Sequence, residues 1–425
     1  MRTRHIGRGA TGAVAAAAAL TLALSGCGRG DGGGNSPEGS PGATEGGGGT
    51  EQGITDTSIL LGSTTSLSGV AGAPGSCLVA GMEAYFGAAN ADGGVEFGDG
   101  KTRKVELKAY DDAYDPGRAV ANFRQMIAEG VFANVNGLGT RTNLAIMPVA
   151  TEEEFPQVFV ASGDSVFSED PEANPWTIGW MPTYYAEGNS FGKFLVDSGT
   201  AVTVAVLEQN DDAGNEFVAG LEDAIEGSEV EIVQRATFEP GDPTVDAQMA
   251  QLADSEADVF FSANTVPALT ASSMVRAQDL GWTPSIFLAA VAANERDVLE
   301  PGNASAFPNV YSTGFTKQPT QTDDEEVKQF LADIKEYAPD TADQIIPHCL
   351  WGYATAATLE EAFKNMAEPT HEALMEAVRN VKDFEPPLLL DGLSVDTTTN
   401  MAPISEVQVQ EHTGEGYAPA ESYAP

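Results

Sequence analysis

The chain is short of positive charge. Among its 425 residues, Lys and Arg total 21 against 63 Asp and Glu, a formal charge of −42 at pH 7. That balance argues against a basic face for nucleic acid, and against adhesion of the folded surface to anionic lipid. The acids are spread along the chain rather than gathered in one tail, which reads as a solvated surface. Histidine is scarce: only His5, His348, His371 and His412 occur. None has zinc-helix spacing or a neighbouring cysteine motif, so metal chemistry is not expected and no cofactor is implied. Cysteine is limited to Cys27, Cys77 and Cys349. The apolar stretch Ala13 to Leu24 is too short to span a bilayer comfortably.

What is present begins with a processing signal. Arg2, Arg4 and Arg8 form a basic region ahead of that apolar stretch, and Leu24-Ser25-Gly26-Cys27 follows it. Small residues before a cysteine at this place resemble a bacterial lipobox. The expectation is that residues 1–26 are a removed signal peptide and that Cys27 is lipidated. Two acyl chains there would hold the protein to the outer face of the cell membrane, its one contact with lipid. Residues 27–53 are rich in Gly with Ser, Pro, Glu and Thr, and read as a flexible linker. Export permits a disulfide between Cys77 and Cys349. Two buried thiols are the alternative, and spacing does not choose between them.

From Ile54 short apolar runs alternate with helical patterns. Ile59–Leu61, Val105–Tyr110, Val131–Val135 and Val158–Ala161 read as strands. Cys77–Asn90 and a segment opened by Asp115-Pro116 read as helices. After Pro171–Pro182 the alternation restarts. Strands are expected at Ala201–Leu207, Val230–Ala236, Val259–Ser262 and Ile286–Ala289. Helices are expected at about Tyr184–Asp197, from Gly214 through Ile225, at Thr244–Leu252 and at Ala268–Gly281. Repeated βα units imply a parallel sheet covered on both faces, here in two lobes. The last third carries helical stripes at Asp323–Tyr337, Cys349–Met366 and Thr370–Val381, then a late strand at Glu406–Gln410. The tail from Gly414 has little to bury.

Two catalytic motifs are suggested and rejected. Gly100-Lys101-Thr102 resembles the end of a phosphate loop, but Val95 stands where glycine is needed. Gly163-Asp164-Ser165-Val166 resembles a serine-hydrolase block, but Phe167 breaks the elbow and no mature histidine follows an aspartate by three residues. What recurs is polar loops at strand ends: Thr64–Gly69, Asp111-Asp112, Thr140–Asn143, Ser162–Ser165, Asn210–Asp212 and Asn264-Thr265. In open α/β sheets ligands bind outside the carboxyl ends of the strands.

These segments together resemble the type I periplasmic binding proteins of ABC importers, in the Leu/Ile/Val-binding branch. The likeness is carried by Ser66-Leu67-Ser68-Gly69, Ala88-Ala89-Asn90-Ala91-Asp92-Gly93-Gly94 and Asp111-Asp112-Ala113-Tyr114-Asp115-Pro116. Gln209-Asn210-Asp211-Asp212-Ala213-Gly214, Asp242-Pro243-Thr244-Val245-Asp246 and Leu280-Gly281-Trp282 add to it. The resemblance implies two Rossmann-like lobes with parallel-sheet cores, joined by three hinge crossovers. Lobe 1 would hold residues 54–178 and 316–398, and lobe 2 residues 179–315 and 399–425. It implies no enzyme activity. Instead a monomer would capture a small organic solute by hinge closure and deliver it to the permease and ATPase subunits. Carried over by position, the ligand contacts would be Ser68, Gly69, Thr140, Arg141, Thr142, Ser162, Gly163, Asp164, Ser165, Asp212, Asn264, Thr265 and Val291. Trp180 and Tyr184 would stand at the hinge and could stack on a ring. Family members that bind amino acids commonly have an aromatic residue where Ala213 stands, and an acid where Ala290-Val291-Ala292 stands. These departures favour an organic or aromatic acid, with Arg141 forking onto its carboxylate. Amino acids or amides come second. A sensory lipoprotein signalling to a membrane receptor, and a hydrolase using Ser165, are the competing classes.

Overall fold

The computed structural model describes residues 51–399 and 402–423. The signal peptide, Cys27 and nearly all of the linker lie outside the described residues. In the first part of the chain, strands β1 (Ser58–Thr65), β2 (Val95–Glu96), β3 (Thr102–Asp111), β4 (Ala133–Val135), β5 (Gln157–Val160) and β6 (Thr177–Gly179) form one sheet. Its order is β2-β3-β1-β4-β5-β6, parallel except for β2. Helices α1 (Gly72–Ala91), α2 (Pro116–Glu129), α3 (Thr140–Glu152) and the short α4 (Val166–Glu169) connect these strands. The helix starts follow local chemistry. Asp115 caps α2 by accepting from the Arg118 amide at 2.8 Å, Pro116 occupies the first turn, and Gly130 closes the helix in a left-handed conformation.

The second part repeats the scheme. Strands β7 (Val202–Gln209), β8 (Val230–Phe238), β9 (Val259–Ala263), β10 (Ser285–Leu288) and β11 (Val310–Gly314) are interleaved with α5 (Tyr184–Asp197), α6 (Asp212–Ile225), α7 (Asp246–Ala253) and α8 (Pro267–Asp279). The chain then supplies α9 (Glu325–Tyr337), α10 (Pro347–Asn365) and α11 (His371–Val378) before returning through β12 (Gln408–His412) and β13 (Tyr417–Pro419). The second sheet runs β13-β12-β11-β10-β9-β7-β8, its last two strands in sequence antiparallel. The tail does more than its composition suggests: β13 pairs with β12, and Tyr423 is buried within 6.3 Å of the Tyr311 ring. Helix α1 begins at Gly72, earlier than the Cys77 read from periodicity. Its first turn is small and its residues are buried on several faces, which hides a 3.6-residue stripe.

Helix α10 packs lengthwise on α1, and the approach is close. A Cβ added at Gly81 would fall on the Cys349 carbonyl oxygen, and one at Gly352 on the Leu78 carbonyl. Only glycine admits that crossing. A disulfide between Cys77 and Cys349, with Cα atoms 4.3 Å apart, joins the same two helices. In the second part, Phe191 stacks on Phe287 at 4.3 Å and Phe287 on Phe261 at 4.9 Å, beneath α5.

The disulfide closes a loop of 272 residues, a large constraint on the unfolded chain. Reduction, or Cys77→Ser with Cys349→Ser, should lower the unfolding free energy by about 2–5 kcal/mol. A melting temperature indifferent to reductant would contradict this.

Candidate functional site

In both sheets the strand order reverses about one strand. β1 has β3 on one side and β4 on the other, while β7 has β8 on one side and β9 on the other. Loops beyond the carboxyl ends of such strands diverge and leave a crevice. A cavity lies there. The first sheet contributes Tyr114 after β3, Leu138 and Gly139 after β4, and Ala161 after β5; Val70, Ala71 and Pro74 follow β1. The second contributes Thr265 and Val266 after β9 and Val291 after β10. Tyr184, the first residue of α5, and His348, in the first turn of α10, complete the lining.

The walls are mainly apolar, with two phenols, one hydroxyl and one imidazole among them. Tyr114 has a left-handed backbone (φ 62°), held by its amide donating to Asp112 Oδ1 at 2.8 Å. This turns its ring onto Gly139, whose own φ of 99° and missing Cβ leave room for it. Burial pushes the Tyr114 hydroxyl up to about 12, Asp211 adds to the shift, and a hydrogen bond with Thr265 opposes it. Tyr184 lies against Gly163, where a Cβ would sit 2.6 Å from the ring, and its amide donates to the Gly163 carbonyl at 2.8 Å. Burial raises its hydroxyl too, against hydrogen bonds from Ser162 and Thr140. Those two hydroxyls are themselves 2.7 Å apart. His348 is 2 % exposed and its ring lies against that of Trp351, centroids 4.1 Å apart and tilted by 45°. Burial alone drives its imidazole down to about 3, and its Nδ1 has no hydrogen-bond partner among the described residues.

Beside the cavity an acidic seam joins the two parts of the chain. The Ser165 amide, beyond β5, donates to Glu216 Oε1 on α6 at 3.0 Å. Glu216 is raised to about 7, first by burial and then by Asp164 and Glu169. Asp164 is raised to about 6 by burial, with Asp212, Asp211 and Glu169 adding repulsion. A third buried acid, Glu187 on α5, accepts from the Ala290 amide at 2.9 Å and the Thr313 hydroxyl at 2.5 Å. Burial lifts it to about 7. It braces the turn that carries Val291 into the cavity.

Of the residues read from sequence, Tyr184, Thr265 and Val291 line the cavity. Thr140, Ser162 and Gly163 stand directly behind Tyr184. Thr142 is turned back onto the backbone before α3, donating to the Leu138 carbonyl at 2.8 Å. Asn264 is buried, its Oδ1 accepting from the Val266 amide at 2.8 Å. Ser68 is exposed and donates to Asp111 Oδ2 at 2.7 Å, and Gly69 follows it with φ 76°. Asp164, Ser165 and Asp212 belong to the acidic seam. Trp180 is buried just after β6, its Nε1 donating to Thr358 at 3.1 Å, and it is not among the lining residues. Arg141 is exposed and also outside the lining; its charge acts on Asp211 and Tyr114. Tyr114 and His348 line the cavity without having been singled out as contacts. Tyr114 lies within the segment Asp111–Pro116, but its direction depends on a backbone conformation no pattern reveals. His348 had only its position at a helix start to mark it.

The chain belongs to the periplasmic binding protein family, whose model matches residues 58–415. Several solved structures share the fold. A substrate-binding periplasmic protein from Ralstonia solanacearum is 21% identical with a TM-score of 0.75, over 85% of this chain and 100% of that one. A fatty acid ABC transporter substrate-binding protein from Thermomonospora curvata is 18% identical at 0.72, over 88% and 95%. A solute-binding protein from R. palustris, solved with benzoate, is 16% identical at 0.67, over 86% and 98%. No curated protein matches the chain. Among the described residues, no helix is long and apolar enough to cross a membrane, and no cluster of His, Cys, Asp and Glu is placed to hold a metal ion.

The raised carboxyls set a pH dependence. Asp164 and Glu216 keep protons in the folded protein that the unfolded chain releases, so stability falls as pH rises from about 4 to about 7. Buried His348 has the opposite slope in acid, so the difference between variants isolates the seam. Glu216→Gln should gain on the wild type by roughly 1–3 kcal/mol between pH 5 and pH 8. Parallel melting curves for the two proteins across that range would count against it.

Proposed function

We propose that this protein captures a small organic solute in the cleft between its two sheets and delivers it to an ABC importer. The observation that carries the reading is the cavity itself. Loops from both sheets line it at both strand-order reversals, and its walls are side chains suited to contact rather than chemistry. The bodies that close are residues 54–178 with 316–398, and residues 179–315 with 399–425. Closure buries the solute, and the closed monomer docks on the permease. It carries out no reaction in this reading.

The solute we favour is an organic acid with an aromatic or aliphatic body. Val70, Leu138, Val266 and Val291 suit the body, and Tyr114, Tyr184, Thr265 and His348 can hydrogen-bond its polar end. Arg141, exposed beside the cleft, acts on the approach of an anion rather than on the bound state. A thermal-shift screen over aromatic acids, fatty acids, amides and amino acids tests the class, because a ligand at a hundred times its Kd stabilises the fold by about 2.7 kcal/mol. Tyr184→Ala should weaken the responding ligand at least about tenfold, or about 1.4 kcal/mol. A response confined to zwitterionic amino acids would overturn the preference for acids.

Cys27 is the proposed lipid anchor. Cys27→Ser should release the protein from the membrane fraction in its host. Unchanged membrane retention would remove the anchor from the proposal.

A further inference from the structure

Burying a carboxylate without a countercharge costs several kcal/mol, roughly, and such groups take up a proton instead. The cavity offers no countercharge. None of the side chains that line it is Lys or Arg, and Arg141, whose charge acts on Asp211, is exposed and outside the lining. What it does offer is one side chain able to gain a charge. His348 is 2 % exposed, lines the cavity, has its ring fixed on Trp351 at 4.1 Å, and leaves Nδ1 without a hydrogen-bond partner among the described residues. Its place is set by covalent structure as well, since Cys349 beside it is bonded to Cys77. A buried polar atom left unpaired in a well-packed wall is costly unless something satisfies it.

We infer that an organic acid binds this cavity together with one proton from solvent, and that His348 is the protein group that shares the proton with the ligand carboxylate. This rests on the reading that the ligand is an acid. In the free protein the imidazole is neutral, because burial disfavours its charged form. A carboxylate arriving beside the ring supplies the missing counterion. The pair then holds one proton, either as carboxylate with imidazolium or as carboxylic acid with imidazole. The other groups that face His348 do not replace it. Tyr114 and Tyr184 are the remaining titratable residues of the lining, and burial holds both phenols protonated. The charges acting on Tyr114 come from Asp211, Arg141 and Asp112, and none of them contributes to the shift of His348.

The test is calorimetric titration of the full mature chain with benzoate and with octanoate, in buffers of different protonation heat. The expected result is uptake of about one proton per acid bound near neutral pH, with affinity falling about tenfold per unit above it. In His348→Gln the uptake should vanish and affinity drop at least about tenfold, while the melting temperature of the free variant stays near that of the wild type. His348→Asn serves the same purpose if the glutamine variant does not fold. Acid binding with no proton uptake, and constant between about pH 6 and about pH 8, overturns the inference and leaves the acid reading standing. Uptake that persists in both variants overturns the assignment to His348. Binding of leucine or benzamide, with neither acid bound, overturns the inference and the acid reading together.

Discussion

The contact between α1 and α10 is the constraint on which the site depends. Gly81 and Gly352 let the two helices meet at the distance of their backbones, and the Cys77–Cys349 bond holds them there. That crossing fixes where α10 begins. Its first turn then brings His348 to the cavity wall, and its second brings Trp351 to the segment after β11, where the indole donates to Thr316 at 3.0 Å. Helix α1 in turn supplies Pro74, and the turn just before it Val70 and Ala71, to the same cavity. A packing decision between two helices distant in sequence therefore positions one whole side of the cavity.

The cavity is the product of two kinds of polar economy. Around it, hydroxyls satisfy one another: Thr140 with Ser162, and both with Tyr184. Along the seam, carboxyls are crowded by burial and by each other, and remain tolerable by keeping their protons. Glu187 stands apart from both, a buried acid whose hydrogen bonds to Ala290 and Thr313 tie α5 to the turn after β10 and to β11. These devices do different jobs. The hydroxyl group orients a ring, the seam joins the two parts of the chain, and the buried glutamate stiffens a turn.

Much of the architecture was legible in the residues. Helix α5 has the limits its pattern suggested, and the strands fall where β-branched runs lie, because both are encoded locally. The tail was not legible, since Tyr417–Pro419 becomes a strand only when β12 is there to pair with it. The loops of the cleft could be found from polarity and position. The direction of each side chain within them could not. Arg141 is the second residue of α3, and the helix turns it outward while Thr140 and Thr142 on either side are buried. Tyr114 reaches the cavity through a positive φ that nothing in its neighbours announces. His348 belongs to a helix whose pattern reads only as core, and its importance comes from what surrounds it rather than from what precedes it in the chain.

The first sheet is covered in part by helices that come late. β1 to β6 lie between Ser58 and Gly179, yet α9, α10 and α11 begin only at Glu325. A growing chain therefore completes its second sheet's parallel strands before the first part has its full cover or its disulfide partner. Cys77, Ala80 and Ala84 on α1 cluster with Phe330 of α9 and Leu350 of α10, and have no such partners until those helices are made. The order of synthesis and the order of packing run against each other here, since the contacts that close this long circuit join segments far apart in the chain.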